Sequence, residues 1–199
     1  KIYHIATGSV SIMHCGDERT VAYWREIAKK YIRFNREMQN LLNQKRDELI
    51  WGKRTLGVSI REGYIKLHNE QPDAIGAHPR QLQPEEMVKL VSTFMKDWDC
   101  EYVFFTCQTT EVKALFEETF GAKAICLDRK RYSYHDLQEG EFISRTPEEA
   151  FVIERDYITE IYLLSQCTSF LCSENSGSEA AFIMSNGYEH FKCVDLGMY

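Results

Sequence analysis

Thr168-Ser169-Phe170-Leu171-Cys172-Ser173-Glu174-Asn175-Ser176-Gly177-Ser178-Glu179 reads as a buried strand that stops, turns on small polar residues and enters a helix. A helix N-terminus carries unpaired backbone N–H groups and the positive end of the macrodipole, and together these make an anion site. Ser173, Ser176 and Ser178 add hydroxyl donors, and Gly177 admits a ligand close to the backbone. Ser176 with Glu179 three residues on fits the capping-box pattern, which marks the helix start with or without a ligand. The ligand best suited to the turn is a phosphate or diphosphate. Many strand–turn–helix units bind nothing, so the surrounding chain decides the matter.

Upstream, strands and helices alternate. Thr55-Leu56-Gly57-Val58-Ser59-Ile60 and Tyr102-Val103-Phe104-Phe105-Thr106-Cys107 are continuous apolar runs of strand length, and Ala124-Ile125-Cys126-Leu127 is a shorter one. Between them, Pro84 opens a helix through Trp98, and Thr109 or Thr110 caps another that Gly121 stops. Thr146-Pro147-Glu148-Glu149 is a capping box that starts a helix running to about Ser165. After the serine–glycine turn comes a helix ending at Gly187, then Phe191-Lys192-Cys193-Val194 as a last strand. Strands apolar on both faces and separated by helices indicate a parallel sheet in an α/β domain. Ligands of such sheets bind beyond the C-terminal ends of the strands. Arg61, Gln108-Thr109 and the 173–178 turn then share one rim.

Three regions follow from this pattern. Residues 1–16, broken by Gly8 and Gly16, read as the remnant of a preceding region. Residues 17–52 read as one long connecting helix that buries a stripe of Trp24, Ile27, Tyr31, Phe34, Met38 and Leu41 and is closed by Gly52. Residues 53–199 form the α/β domain. The polar connection from Arg61 to about Gln83 is long enough to be functional or mobile. The charged, Tyr-rich segment from Asp128 to Arg145 is expected to be exposed.

Composition narrows the function. Among 199 residues, 44% are hydrophobic, which supports a full core. A net charge of -6 disfavours nucleic acid as a partner, and no apolar run reaches the roughly 20 residues of a membrane span. No signal peptide is legible, and the missing initiating Met points to a trimmed, internal or renumbered segment. The 7 Cys form no Cys-x-x-Cys pair. Cys107, Cys126, Cys172 and Cys193 read as buried thiols in a reducing compartment, here the cytoplasm. The 6 His are scattered without a ligand pair, so no metal site is expected.

Leu56-Gly57-Val58-Ser59-Ile60-Arg61 resembles the first motif of GDP-fucose-dependent fucosyltransferases of the α1,2/α1,6 and nodulation type, a strand ending in Gly-Val-His-x-Arg-Arg-x-Asp. Tyr102 to Gln108 resembles the second motif, and Glu160 to Cys167 followed by Cys172 to Ser178 resembles the third. Gly76-Ala77-His78-Pro79 and Asp195-Leu196-Gly197-Met198-Tyr199 are similar to segments of bacterial glycosyltransferase-like proteins from surface-polysaccharide clusters. The resemblance covers roughly residues 20–199. It implies a Rossmann-like parallel sheet flanked by helices, the C-terminal, sugar-nucleotide-binding domain of a GT-B-like glycosyltransferase whose N-terminal domain holds the glycan acceptor. It further implies Arg61 as the diphosphate grip, with Ser176, Ser173, Gly177 and Ser178 opposite. Glu160 would contact the nucleoside, with His78 and Gln108 also lining the cleft.

Departures from the motifs are specific. Ser59 stands for the motif His, Glu62 for the second Arg, and Gln108 with Thr109 for paired acids. The function implied is an inverting, metal-independent and cofactor-free transfer of a sugar from a GDP-sugar to a glycan hydroxyl, with the general base open among Glu62, Glu70 and Asp73. The alternative is a non-catalytic member of the same fold that binds a nucleotide or a partner. A kinase or phosphatase would need a Gly-x4-Gly-Lys-Ser/Thr or a Cys-x5-Arg loop, and neither is present.

Overall fold

The computed structural model describes Met13 and residues 18–61, 80–138 and 146–197. Two helices lead in, α1 (Glu18–Tyr31) and α2 (Arg36–Leu49), followed by β1 (Thr55–Ser59). Then come α3 (Pro84–Asp97), β2 (Tyr102–Thr106), α4 (Thr110–Phe120), β3 (Ala124–Ile125) and the short α5 (Tyr134–Gln138). The chain continues through α6 (Pro147–Ser165), β4 (Ser169–Ser173), α7 (Ser176–Met184) and β5 (His190–Val194).

All strand pairs are parallel, in the order β3-β2-β1-β4-β5. The chain steps outward from β1 to one edge, then returns to the other side of β1 through β4. The order therefore reverses between β1 and β4, where open α/β sheets leave a crevice. This is a Rossmann-like sheet.

Alternate side chains build the two layers beside it. Leu56, Val58, Val103, Phe105 and Leu171 pack with Met87, Val91 and Met95 of α3 and Val112 and Phe116 of α4. Phe104, Phe170 and Cys172 face the other way, onto Leu163 and Leu164 of α6 and Ala181 and Phe182 of α7. Gly57 faces that second layer. A Cβ there would lie 3.1 Å from both Cβ and Sγ of Cys167, so the glycine sets how closely the end of α6 approaches the sheet. Burial pushes the thiols of Cys167 and Cys172 upward, which makes them neutral packing groups.

The single helix expected over 17–52 is two helices. Asn35 caps α2 by accepting from the Met38 N–H at 2.8 Å, and residues 32–35 between the helices are non-helical. The helices have different neighbours: α1 packs on α7, α2 on α6. The apolar stripe is accordingly interrupted. Trp24 is exposed and Tyr31 is 64% exposed, while Ala28 and Leu42 are buried. Periodicity continues across such a bend because an asparagine that can cap does not disturb the apolar spacing on either side. Among the described residues no helix is long and apolar enough to cross a membrane.

Candidate functional site

A cleft of about 340 Å³ lies at the C-terminal ends of β1 and β2 and at the entry to α7. β1 contributes Ser59, Ile60 and Arg61, and β2 leads into Thr106, Cys107 and Gln108. The turn after β4 supplies Asn175, Ser176 and Gly177. One face of α6 supplies Tyr157, Glu160, Ile161 and Leu164, and Arg129 enters from the segment after β3. Of the residues singled out in the sequence, Arg61, Gln108, Glu160, Ser176 and Gly177 line this one space. His78 lies outside the described residues, as do Glu62, Glu70 and Asp73.

Ser173 and Ser178 do not line the cleft. Ser173 ends β4 fully inside the sheet, and its hydroxyl donates to the side chain of Gln81, whose amide in turn donates to the Glu174 carbonyl at 2.9 Å. Ser178 is fully buried in the first turn of α7. Strand and helix geometry directs both toward the interior.

The helix cap also differs from the expected one. Asn175, not a serine, is the N-cap, and its side chain accepts from the Ser178 N–H at 2.9 Å. Ser176 and Gly177 become the first two helical residues. Their backbone N–H groups have no partner among the described residues, as the first donors of a helix characteristically do not. Ser176 and Gly177, at the positive end of α7, line the same cleft as Arg61.

Glu160 sits in a charged knot. Its Oε1 accepts from Arg129 Nε at 2.7 Å, and Arg131 Nη2 lies 3.7 Å away. Arg129 also donates through Nη2 to the Cys107 carbonyl at 2.8 Å. Arg131 donates through Nε to Cys107 Sγ at 3.3 Å and through Nη2 to the Leu127 carbonyl at 2.9 Å. The expectation that 128–145 is exposed fails here. The side chains of Arg129 and Arg131 are 11% and 3% exposed, because each guanidinium finds a buried acceptor. Burial pushes the Glu160 carboxyl above its ordinary value, and Arg129 and Arg131 pull it back.

Tyr157 closes the cleft beside α7. A Cβ placed on Gly177 would lie 2.6 Å from its hydroxyl. Burial raises that hydroxyl's pKa above the usual tyrosine value, and the charges of Arg61 and Arg129 both act to lower it. Sequence reasoning missed Tyr157, Arg129 and Asn175. A signal for Tyr157 was present, since it precedes Glu160 by one helical turn and so shares its face. Nothing local marked Arg129. Among the described residues no three His, Cys, Asp or Glu side chains are grouped as a metal site would require.

No family model and none of the curated proteins matches this chain. Solved structures do. POFUT1 in complex with GDP superposes with a TM-score of 0.53 at 9% identity, over 89% of this chain and 52% of that one. POFUT1 in complex with GDP-fucose gives 0.53 at 8% identity, over 89% and 49%. NodZ alpha-1,6-fucosyltransferase soaked with GDP-fucose gives 0.50 at 14% identity, over 80% and 46%. The chain spans about half the length of these structures, and at such identities the likeness is one of fold. The resemblance read in the strand-end motifs thus extends to the architecture: this chain has the helix-flanked parallel sheet of GT-B-like fucosyltransferases.

Proposed function

We propose that this domain binds a nucleoside diphosphate sugar, with GDP-fucose the leading candidate, as the donor side of a glycosyl transfer to a glycan hydroxyl. One observation carries the reading. Arg61 and the first two residues of α7, Ser176 and Gly177, line the same cleft at the strand-order reversal. A guanidinium facing a helix N-terminus is a complementary pair of donors for a diphosphate. In an inverting displacement the diphosphate gains charge as the sugar departs, and donors fixed in advance at that position lower the barrier. The fold likeness to proteins solved with GDP and GDP-fucose supports the choice of nucleotide.

Glu160 is the only carboxylate among the described residues lining the cleft. Its Oε1 is occupied by Arg129, which suits a ligand-facing or bracing role better than proton abstraction. The general base and the acceptor contacts are assigned to parts outside this cleft. In this reading the transfer is metal-independent, takes place in the cytoplasm and serves bacterial surface-polysaccharide synthesis.

Calorimetric titration with GDP, GDP-fucose and UDP tests the binding, and GDP release from GDP-fucose with glycan acceptors tests the transfer. Tight GDP binding with weaker UDP binding is expected. Binding without release by the full-length protein favours the non-catalytic alternative, and failure to bind any of the three removes the reading altogether.

A further inference from the structure

The first-strand motif, as this chain carries it, provides one arginine at the rim, Arg61, because the next position is Glu62. A nucleoside diphosphate carries several negative charges, more than the Arg61 guanidinium balances by itself. The cleft wall that Glu160 and Arg129 form is not neutral. Glu160 faces two guanidiniums, those of Arg129 and Arg131, so the knot holds a net positive charge whatever the carboxyl's protonation state. Its three side chains are at most 11% exposed. Glu148, Glu149 and Asp156 border Arg129 in a separate groove, so the cleft side is where a further anion would meet the guanidinium.

The two arginines differ in what they have left to give. Arg131 lies behind the wall, its forks spent on Cys107 Sγ and on the carbonyls of Arg129 and Leu127. Arg129 lines the cleft. It spends Nε on Glu160, one Nη1 hydrogen on the Lys130 carbonyl and one Nη2 hydrogen on the Cys107 carbonyl. A guanidinium has five N–H groups, so one hydrogen on each terminal nitrogen has no partner among the described residues. Arg61 and Arg129 line the same cleft, together with Tyr157 and Gly177.

We propose that Arg129, held by Glu160 and the Cys107 carbonyl, is the second guanidinium of the diphosphate site, beside Arg61. Glu160 is then a positioning residue for Arg129, and Arg131 fixes the pair from behind. A guanidinium anchored through Nε presents its two terminal nitrogens in a fixed plane, which suits two phosphate oxygens and loses little entropy on binding. The inference rests on the nucleotide-binding reading above.

The test is titration of GDP and of guanosine into the wild-type protein and Arg129→Lys, with thermal melting to confirm folding. Lysine keeps the charge and loses the fork. GDP affinity is expected to fall about tenfold, the effect of a lost charge-assisted contact, while guanosine affinity stays within about twofold, since it lacks the phosphates. Equal GDP affinity in both proteins overturns the assignment of Arg129 and leaves the nucleotide reading standing. Equal losses for GDP and guanosine also overturn it, because the effect is then on the shape of the cleft. Wild-type protein that binds no GDP overturns both. Should Arg129→Lys fail to fold, labelling the wild-type protein with an arginine-selective dicarbonyl, read by peptide mass, answers the same question. Shielding of Arg129 by GDP but not by guanosine supports the proposal, and Arg129 labelling unchanged by GDP overturns it.

Discussion

The hydroxyl of Tyr157 lies 2.6 Å from the point a Cβ on Gly177 would occupy. Helix α6 therefore closes over the second residue of α7, and glycine at 177 leaves the space for it. Gly177→Ala is expected to cost about 1–2 kcal/mol, the range for forcing extra volume into a packed contact. Tyr157→Phe removes the offending oxygen, so the double variant should regain most of that loss. Denaturant unfolding of the four proteins reads the coupling directly. Additive losses would mean that the tyrosine swings aside freely.

Asn175 and Ser176 separate two accounts of how α7 begins. Asn175 carries the cap bond to Ser178, so Asn175→Ala should lose about 1 kcal/mol of stability. Ser176→Ala should leave unfolding nearly unchanged. Equal losses from the two substitutions would return the cap to the serine.

Glu160 predicts both a stability loss and a pH dependence. Glu160→Ala leaves two buried guanidiniums without their carboxylate and is expected to cost about 3 kcal/mol or more. Burial is the largest influence on this carboxyl and raises its pKa in the folded chain. The folded state thus holds the proton more tightly than the unfolded state does. The stability from this group is fully present below about 4.3, the ordinary glutamate value, and is lost as pH rises through the folded pKa. Compared with Glu160→Gln at each pH, the wild-type protein should lose relative stability from about pH 4 upward. A relative gain over that window would mean that Arg129 and Arg131 outweigh burial.

Arg61 is exposed at the end of its strand, so its removal should leave folding intact and act on the ligand. Arg61→Ala is expected to weaken GDP binding about tenfold or more. The dependence of binding on salt concentration should also become shallower, because one fewer charge is neutralised. Calorimetry at two ionic strengths measures both effects, and unchanged affinity would remove Arg61 from the diphosphate site.

Much of the architecture was legible because its causes are local. Thr146 and Glu149 exchange both capping bonds, and Pro84 opens α3. The apolar runs at 55–60 and 102–107 became the central strands. The single helix over 17–52 was misread because spacing does not register a cap such as Asn35 placed between two well-spaced stretches. In the cleft, Arg61, Gln108, Ser176 and Gly177 followed from the rule that ligands gather at strand ends. Ser173 and Ser178 did not, since a hydroxyl beside such a turn points outward or inward according to the helix or strand phase of its own residue.

By itself the sequence determined the alternation of buried strands and capped helices, and from it a parallel sheet with an anion-ready turn at one rim. Capping and apolar spacing are set within a few residues, so no distant partner is needed to read them. Only the tertiary structure decided what shares the cleft with that turn and what braces it. Arg129 meets Glu160 across 31 positions, and Gln81 receives Ser173 across 92. Such pairs depend on how non-adjacent elements pack, and a guanidinium buried against a carboxylate has the same local sequence as one standing in water. The serine–glycine turn was written in the chain, and the Arg129–Glu160 pair that lines the same cleft was made by the fold.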